Sequence, residues 1–237
     1  MDDNASKLVF RLRFNFEGNK AVDDILLMEQ KIKEICDINI KGIDGINTVI
    51  IPSDENTLTP IIIKENGSFV EKKDTSGTVG IGHTRWATHG EPNDVNSHPH
   101  YSQSKNLVMI HNGIIENYAA IKERLIKRGH VFESETDTEV LIHLIEDVQK
   151  NENTKMGYAV QAALKQVIGA YAIVLLDKND PDVIVAAKKG SPMVIGIGHD
   201  DFFVASDASP IIEYTKNVVY LEDEQVVVLR KGHEIKI

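Results

Sequence analysis

Past residue 117 the chain lays down helix-period segments first and short strands afterwards, and that order constrains its fold more than any other feature. Helical spacing covers about 118–127, 138–149 and 156–167. Short strand patterns then follow at about 171–176, 183–187, 193–197, 202–205 and 225–229. A doubly wound parallel sheet needs strands and helices in alternation. Helices followed by a run of strands point instead to a layered α+β domain. The helix ends carry their own signals. Gly129 follows the first helix as a stop, because glycine accepts the left-handed conformation that closes a helix. Thr136, with Glu139 three residues on, fits a capping box at the start of the second.

Before residue 117 the pattern divides near the polar stretch Lys72-Lys73-Asp74-Thr75-Ser76-Gly77, where we place a boundary between segments 1–76 and 77–237. The first segment reads as a small α+β piece. Leu8, Phe10, Leu12, Phe14 and Phe16 alternate with other residues, as in a half-buried strand. Ala21, Ile25, Met28, Ile32 and Ile35 recur at helical spacing, and residues 47–51 read as a strand stopped by Pro52. Ile61-Ile62-Ile63 and Phe69-Val70 flank Glu65-Asn66-Gly67, a hairpin signal because Asn-Gly accepts positive φ. Beyond the boundary, strands are expected at 78–83 and 107–111.

Charge and cysteine content exclude several classes of function. The net charge of −10 argues against a nucleic-acid partner, because phosphate binding needs a basic footprint. The single cysteine, Cys36, rules out an intrachain disulfide and a cysteine zinc cluster. It fits a reducing, cytoplasmic setting. No apolar run reaches the roughly 18–20 residues of a membrane span, and the acidic, polar start MDDNASK is unlike a signal peptide.

The chemistry is concentrated in four stretches: GHTRWATHGEP at 82–92, HPH at 98–100, HNGIIEN at 111–117 and SETDTE at 134–139. A site for a zwitterionic amino acid needs a cation for the α-carboxylate and an anion for the α-ammonium. Arg85 offers a planar fork suited to a carboxylate. Asp137 falls at a helix start, where the first-turn dipole keeps it ionised. Hydrolysis of an amide also needs donors aimed at the developing oxyanion. Asn112 and Gly113, after a strand, offer a side-chain N–H and a backbone N–H, and glycine permits close approach.

Two other readings of these residues stand beside this one. His83, His89, His98, His100 and His111 lie close in sequence, so they are either pocket-lining and structural or a metal set. No HExxH-type spacing supports the metal reading, and we expect no metal and no cofactor. Gly77, Gly80 and Gly82 have the wrong spacing for a dinucleotide fingerprint. Cys36, on a helical pattern, reads as a small buried apolar residue.

GIGHTRWATHG, HNGIIENY and SETDTEV, with KKGSPMVIG at 188–196 and FVASD at 203–207, resemble the glutaminase domain of the glutamine–fructose-6-phosphate aminotransferase family, within the class II glutamine amidotransferases. The resemblance covers 77–237. It implies an N-terminal-nucleophile hydrolase fold, an αββα sandwich, here incomplete at the edge where the family's first strands would lie. It implies L-glutamine as ligand, with Arg85 and Asp137 on its α-carboxylate and α-ammonium, Trp86, Thr88 and His89 lining the pocket, and Asn112 and Gly113 as the oxyanion hole. It further implies ammonia supply for glucosamine-6-phosphate synthesis, and self-association stays open.

The resemblance also implies a nucleophile: a cysteine at position 1 whose own α-amine is the base. Here Met1 precedes Asp2, so the expectation is a glutamine site without an attacking group. The sugar-isomerising domain of the family is expected to be absent as well. Residues 1 to about 70 resemble instead a segment of the largest subunit of RNA polymerase II type enzymes, in DDNASKLVFRLRFN, IKGIDGINTVII and Lys64-Glu65-Asn66-Gly67. Together the two resemblances imply a chimeric polypeptide or an inactive glutamine-binding module.

Overall fold

The computed structural model describes residues 8–13, 43–52, 61–65, 77–86, 93, 95–199, 201–230 and 232–237, with side chains from residue 79 onward except 84–92. The expected helix over 21–35 and the Phe69-Val70 arm of the hairpin lie outside these residues.

One sheet joins β5 (His100–Tyr101), β6 (Leu107–Ile115), β7 (Gly169–Asp177), β8 (Asp180–Lys189) and β12 (Val226–Arg230) in the order β12-β8-β7-β6-β5, all antiparallel. The three helices α1 (Tyr118–Lys127), α2 (Asp137–Glu152) and α3 (Met156–Leu164) run between β6 and β7 in sequence and cover one face of this sheet. The second sheet covers its other face. Period-2 alternation divides each strand between the two layers. From β6, Leu107 and Met109 join the helix-side core while Val108 and Ile110 join the sheet-side core. From β7, Ile173 and Leu175 go one way and Val174 and Leu176 the other. Burial on both faces explains why these strands read as unbroken apolar runs, AIVLL and VIVAA, rather than as alternating ones.

The second sheet has the order β11-β9-β10-β1-β4-β2-β3, from β1 (Leu8–Arg13), β2 (Ile43–Pro52), β3 (Ile61–Glu65), β4 (Gly77–Trp86), β9 (Val194–Ile197), β10 (Asp201–Ala205) and β11 (Val218–Tyr220). β4 lies between β1 and β2, with His83 opposite Leu8 on one side and Asn47 on the other. β3 pairs with β2. Val194, Phe203, Ala205 and Ile211 form a small core on the far face of this sheet. The layered α+β arrangement expected from the sequence is therefore present.

Local expectations fared unevenly. α1 spans the residues expected of it, and Gly129, at φ 92°, ends it by donating to the Ile126 carbonyl at 2.9 Å. Thr136 caps α2, its Oγ1 accepting from the Glu139 N–H at 3.2 Å. The second half of the capping box takes a different form. The Glu139 carboxylate accepts from the amides of Glu133 at 2.8 Å and Ser134 at 2.7 Å, and Thr136 N–H donates to Ser134 Oγ at 3.3 Å. β5 and β11, of two and three residues, had no periodic signal.

Candidate functional site

The site begins where β6 leaves the core. Residues up to His111 are buried, Asn112 and Gly113 are half-buried, Ile114 is exposed and Ile115 is buried again. Gly113 has φ 134°, and a Cβ there would overlap the carbonyl oxygen of Ala170 on β7. Gly169, across from Ile115, has φ 127°, and its Cβ would overlap the Ile114 carbonyl. Two glycines thus let β6 and β7 approach more closely than side chains permit, and the Asn112-Gly113 backbone lies at the surface of that junction.

α2 presents its first turn to the same strand end. Asp137, its first residue, is buried, and its Oδ2 accepts from the Ile115 N–H at 2.8 Å. Thr138 Oγ1 lies 3.1 Å from His98 Nε2 and 3.0 Å from His111 Nδ1. A hydroxyl carries one proton, so it accepts from at least one of these rings. Thr136 Oγ1 lies 3.2 Å from His100 Nε2 and 2.9 Å from Ser134 Oγ. The SETDT stretch is in this way held through its hydroxyls against imidazoles of the HPH and HNG stretches.

From β4, His83 Nε2 lies 2.8 Å from Asn112 Oδ1. Its ring lies over that of His98, with centroids 4.1 Å apart, and both side chains are buried. Among the described residues, no group of three His, Cys, Asp or Glu side chains is arranged to hold a metal ion.

Behind this layer α2 carries a second polar row. Glu146 accepts from Ser102 Oγ at 2.7 Å and Ser104 N–H at 3.2 Å, binds Ser104 Oγ, and pairs with Lys150 at 3.1 Å. Burial pushes its pKa up, but the hydrogen bonds from Ser104, Ser102 and Lys150 outweigh burial and hold it below the usual carboxylate range. His143 stacks on Phe132 at 4.6 Å, with His130 Nδ1 3.2 Å from its Nδ1, and burial lowers its pKa.

Of the residues singled out from the sequence, Asn112, Gly113 and Asp137 come together: Asp137 bonds a backbone amide two residues past Gly113. Arg85 and Trp86 end β4, just beyond His83, and their side chains lie outside the described residues, as do Thr88 and His89 altogether. Sequence reasoning missed Thr138 as the bridge between two histidines. Its one signal was its place within SETDTE.

A helical layer on two stacked antiparallel sheets, with a glycine-opened strand end facing a buried helix-start aspartate, is an N-terminal-nucleophile hydrolase architecture. Two solved structures share it: glutamine phosphoribosylpyrophosphate amidotransferase from B. subtilis (TM-score 0.74, 21% identity, 97% of this chain and 48% of that one) and the allosteric regulatory enzyme of purine biosynthesis (TM-score 0.76, 22% identity, 97% and 48%). Residues 45–234 match the glutamine amidotransferase domain family, and the chain belongs to that family. Among curated relatives, glutamine–fructose-6-phosphate aminotransferase of Bacteroides thetaiotaomicron is 54% identical over 210 residues, 87% of this chain and 34% of that protein. The Methanococcus maripaludis enzyme is 40% identical over 221 residues, 92% and 36%. The chain thus spans about a third of the length of these relatives.

Proposed function

We propose that this chain is the glutamine-binding half of a glutamine–fructose-6-phosphate aminotransferase, the part that supplies ammonia for glucosamine-6-phosphate synthesis. One observation carries the reading: Asp137 is fixed by the Ile115 amide beside Asn112 and Gly113. A carboxylate for an α-ammonium and donors for an amide oxygen thereby come to one strand end. In this reading Arg85 takes the α-carboxylate, Asp137 the α-ammonium, and Asn112 Nδ2 and the Gly113 N–H the oxyanion. Trp86, Thr88 and His89 line the pocket. A cytoplasmic location goes with this role.

The attacking atom is a separate matter. An oxyanion hole and a substrate clamp position an amide and stabilise charge, but they supply no nucleophile. Cys36 is the single cysteine of the sequence, with no α-amine beside it. Made as written, the chain binds glutamine without hydrolysing it at an enzymatic rate. The test compares release of glutamate and ammonia by this chain and by a version in which residues 1–76 are replaced by a cysteine-initiated family N-terminus. Activity in the second alone supports the reading. Activity in the first, abolished by Cys36→Ala, overturns it.

A further inference from the structure

We propose that His83 is a positioning residue that fixes which end of the Asn112 side chain faces the ligand. The proposal rests on the glutamine-site reading above. A side-chain amide has an acceptor end and a donor end of nearly the same shape, so an asparagine can sit either way round. Only the donor end is useful toward a carbonyl oxygen that gains negative charge. Turned over, the same residue would present a carbonyl to that oxygen and repel it. The choice therefore needs an outside constraint.

His83 provides one. Asn112 Oδ1 can only accept, so the 2.8 Å contact requires the proton on Nε2 of His83. With Oδ1 engaged there, the Nδ2 donors lie on the opposite side of the amide group. The imidazole is itself held. His83 lies on β4 between two paired strands, and its ring rests against that of His98 with centroids 4.1 Å apart. His98 in turn contacts Thr138, the neighbour of Asp137, through a 3.1 Å contact to its hydroxyl. The start of α2, the HPH stretch, β4 and the Asn112-Gly113 strand end thus form one continuous chain of contacts, buried up to the half-exposed Asn112. Its terminus is the orientation of a single amide.

The experiment uses the full chain and two readouts. The first needs no ligand: the imidazole nitrogen shifts of His83, by NMR, report its tautomer. Nε2–H is expected, and Nδ1–H would overturn the proposal. The second is selectivity between L-glutamine and L-norvaline, which shares the α-groups and carbon chain of glutamine but lacks the amide. The native chain should prefer glutamine by about tenfold, the ratio one well-made hydrogen bond supports. His83→Phe keeps a ring against His98 and removes the donor. It should bring the ratio to near one while leaving norvaline affinity unchanged. His83→Gln, which retains an N–H donor, should restore part of the preference. A His83→Phe chain that binds both ligands more weakly by the same factor would show a merely structural residue and overturn the proposal. So would one that keeps its full preference for glutamine. Should His83→Phe not fold, His83→Ala serves with the same expectations. A native chain that shows the Nε2–H tautomer yet binds neither ligand would sink the glutamine-site reading, and this inference with it.

Discussion

Helices α1 and α2 pack in one core but are built differently. α1 fully buries only Ile121 and Leu125, with Tyr118 packed partly against the same core, and exposes most of its other residues. α2 buries every residue from Asp137 to Val148, among them Asp137, Thr138, Glu139, His143, Glu146 and Asp147. A helix that is buried all round has no solvated face on which to leave polar groups, so each of them needs a partner inside. In the first turn of α2 the partners are the turns and strand ends that form the candidate site, Ile115, His98, His111 and Ser134, and farther along Ser102, His130 and Arg128 meet Glu146, His143 and Asp147. α1 is a cover. α2 is the element from which the site is held in place.

Paired substitutions on the two helices measure that difference. Leu141→Ala on α2 removes a fully buried side chain and should destabilise the chain by about 2–5 kcal/mol. Ile126→Ala on α1, where the side chain is 54% exposed, should stay within about 0.5 kcal/mol. Urea unfolding of both reads the contrast, and equal losses would break it.

A smaller effect is expected from the carboxylates. Glu139→Gln on α2 weakens an acceptor that serves the amides of Glu133 and Ser134 and the Ser134 hydroxyl at 2.6 Å, and should lower stability by about 1–3 kcal/mol. Glu123→Gln on α1 loses only an exposed pair with Lys127 at 2.6 Å, worth less than about 1 kcal/mol. The same urea curves check it.

The smallest expected effect is a slope in pH. His143 has a folded-state pKa below the ordinary 6.5, because burial disfavours its charged form. Glu139, Glu146 and Glu133 pull it the other way and His130 adds to the lowering, but burial leads. The unfolded chain therefore binds the proton first. The stability that neutral His143 contributes is present above 6.5 and is lost as pH falls through its depressed folded value. Glu146, also depressed, adds a loss in the more acidic range, below its ordinary 4.5. Melting temperatures of the native chain should fall from pH 7.5 to 5.5, and His143→Gln should flatten that fall. An unchanged slope would show that His143 is not its source.

Much of this framework was legible in the sequence. The bounds of α1, the cap at Thr136, the stop at Gly129 and the need for glycine at Gly113 all follow from local rules, because each is decided within a few residues. The links that assemble the site were not legible. Asp137 reaches Ile115 across 22 residues and His83 reaches Asn112 across 29, and no periodicity couples such positions. The half-formed capping box has the same cause. The capping-box spacing has Glu139 closing back on its own helix start, whereas the preceding turn offers it two amides and a hydroxyl.

The central claim is that α2 holds a charged glutamine site in place, and Asp137 tests it most directly. Asp137→Asn keeps an oxygen able to accept from the Ile115 amide but removes the charge. Titration of L-glutamine into the two chains by calorimetry, with melting temperatures measured alongside, gives the answer. The account predicts binding by the native chain and a loss of roughly 1.5–3 kcal/mol of binding energy in Asp137→Asn, the magnitude of a hydrogen bond to a charged group, with melting little changed. Glutamine affinity left intact in a folded Asp137→Asn chain would contradict it.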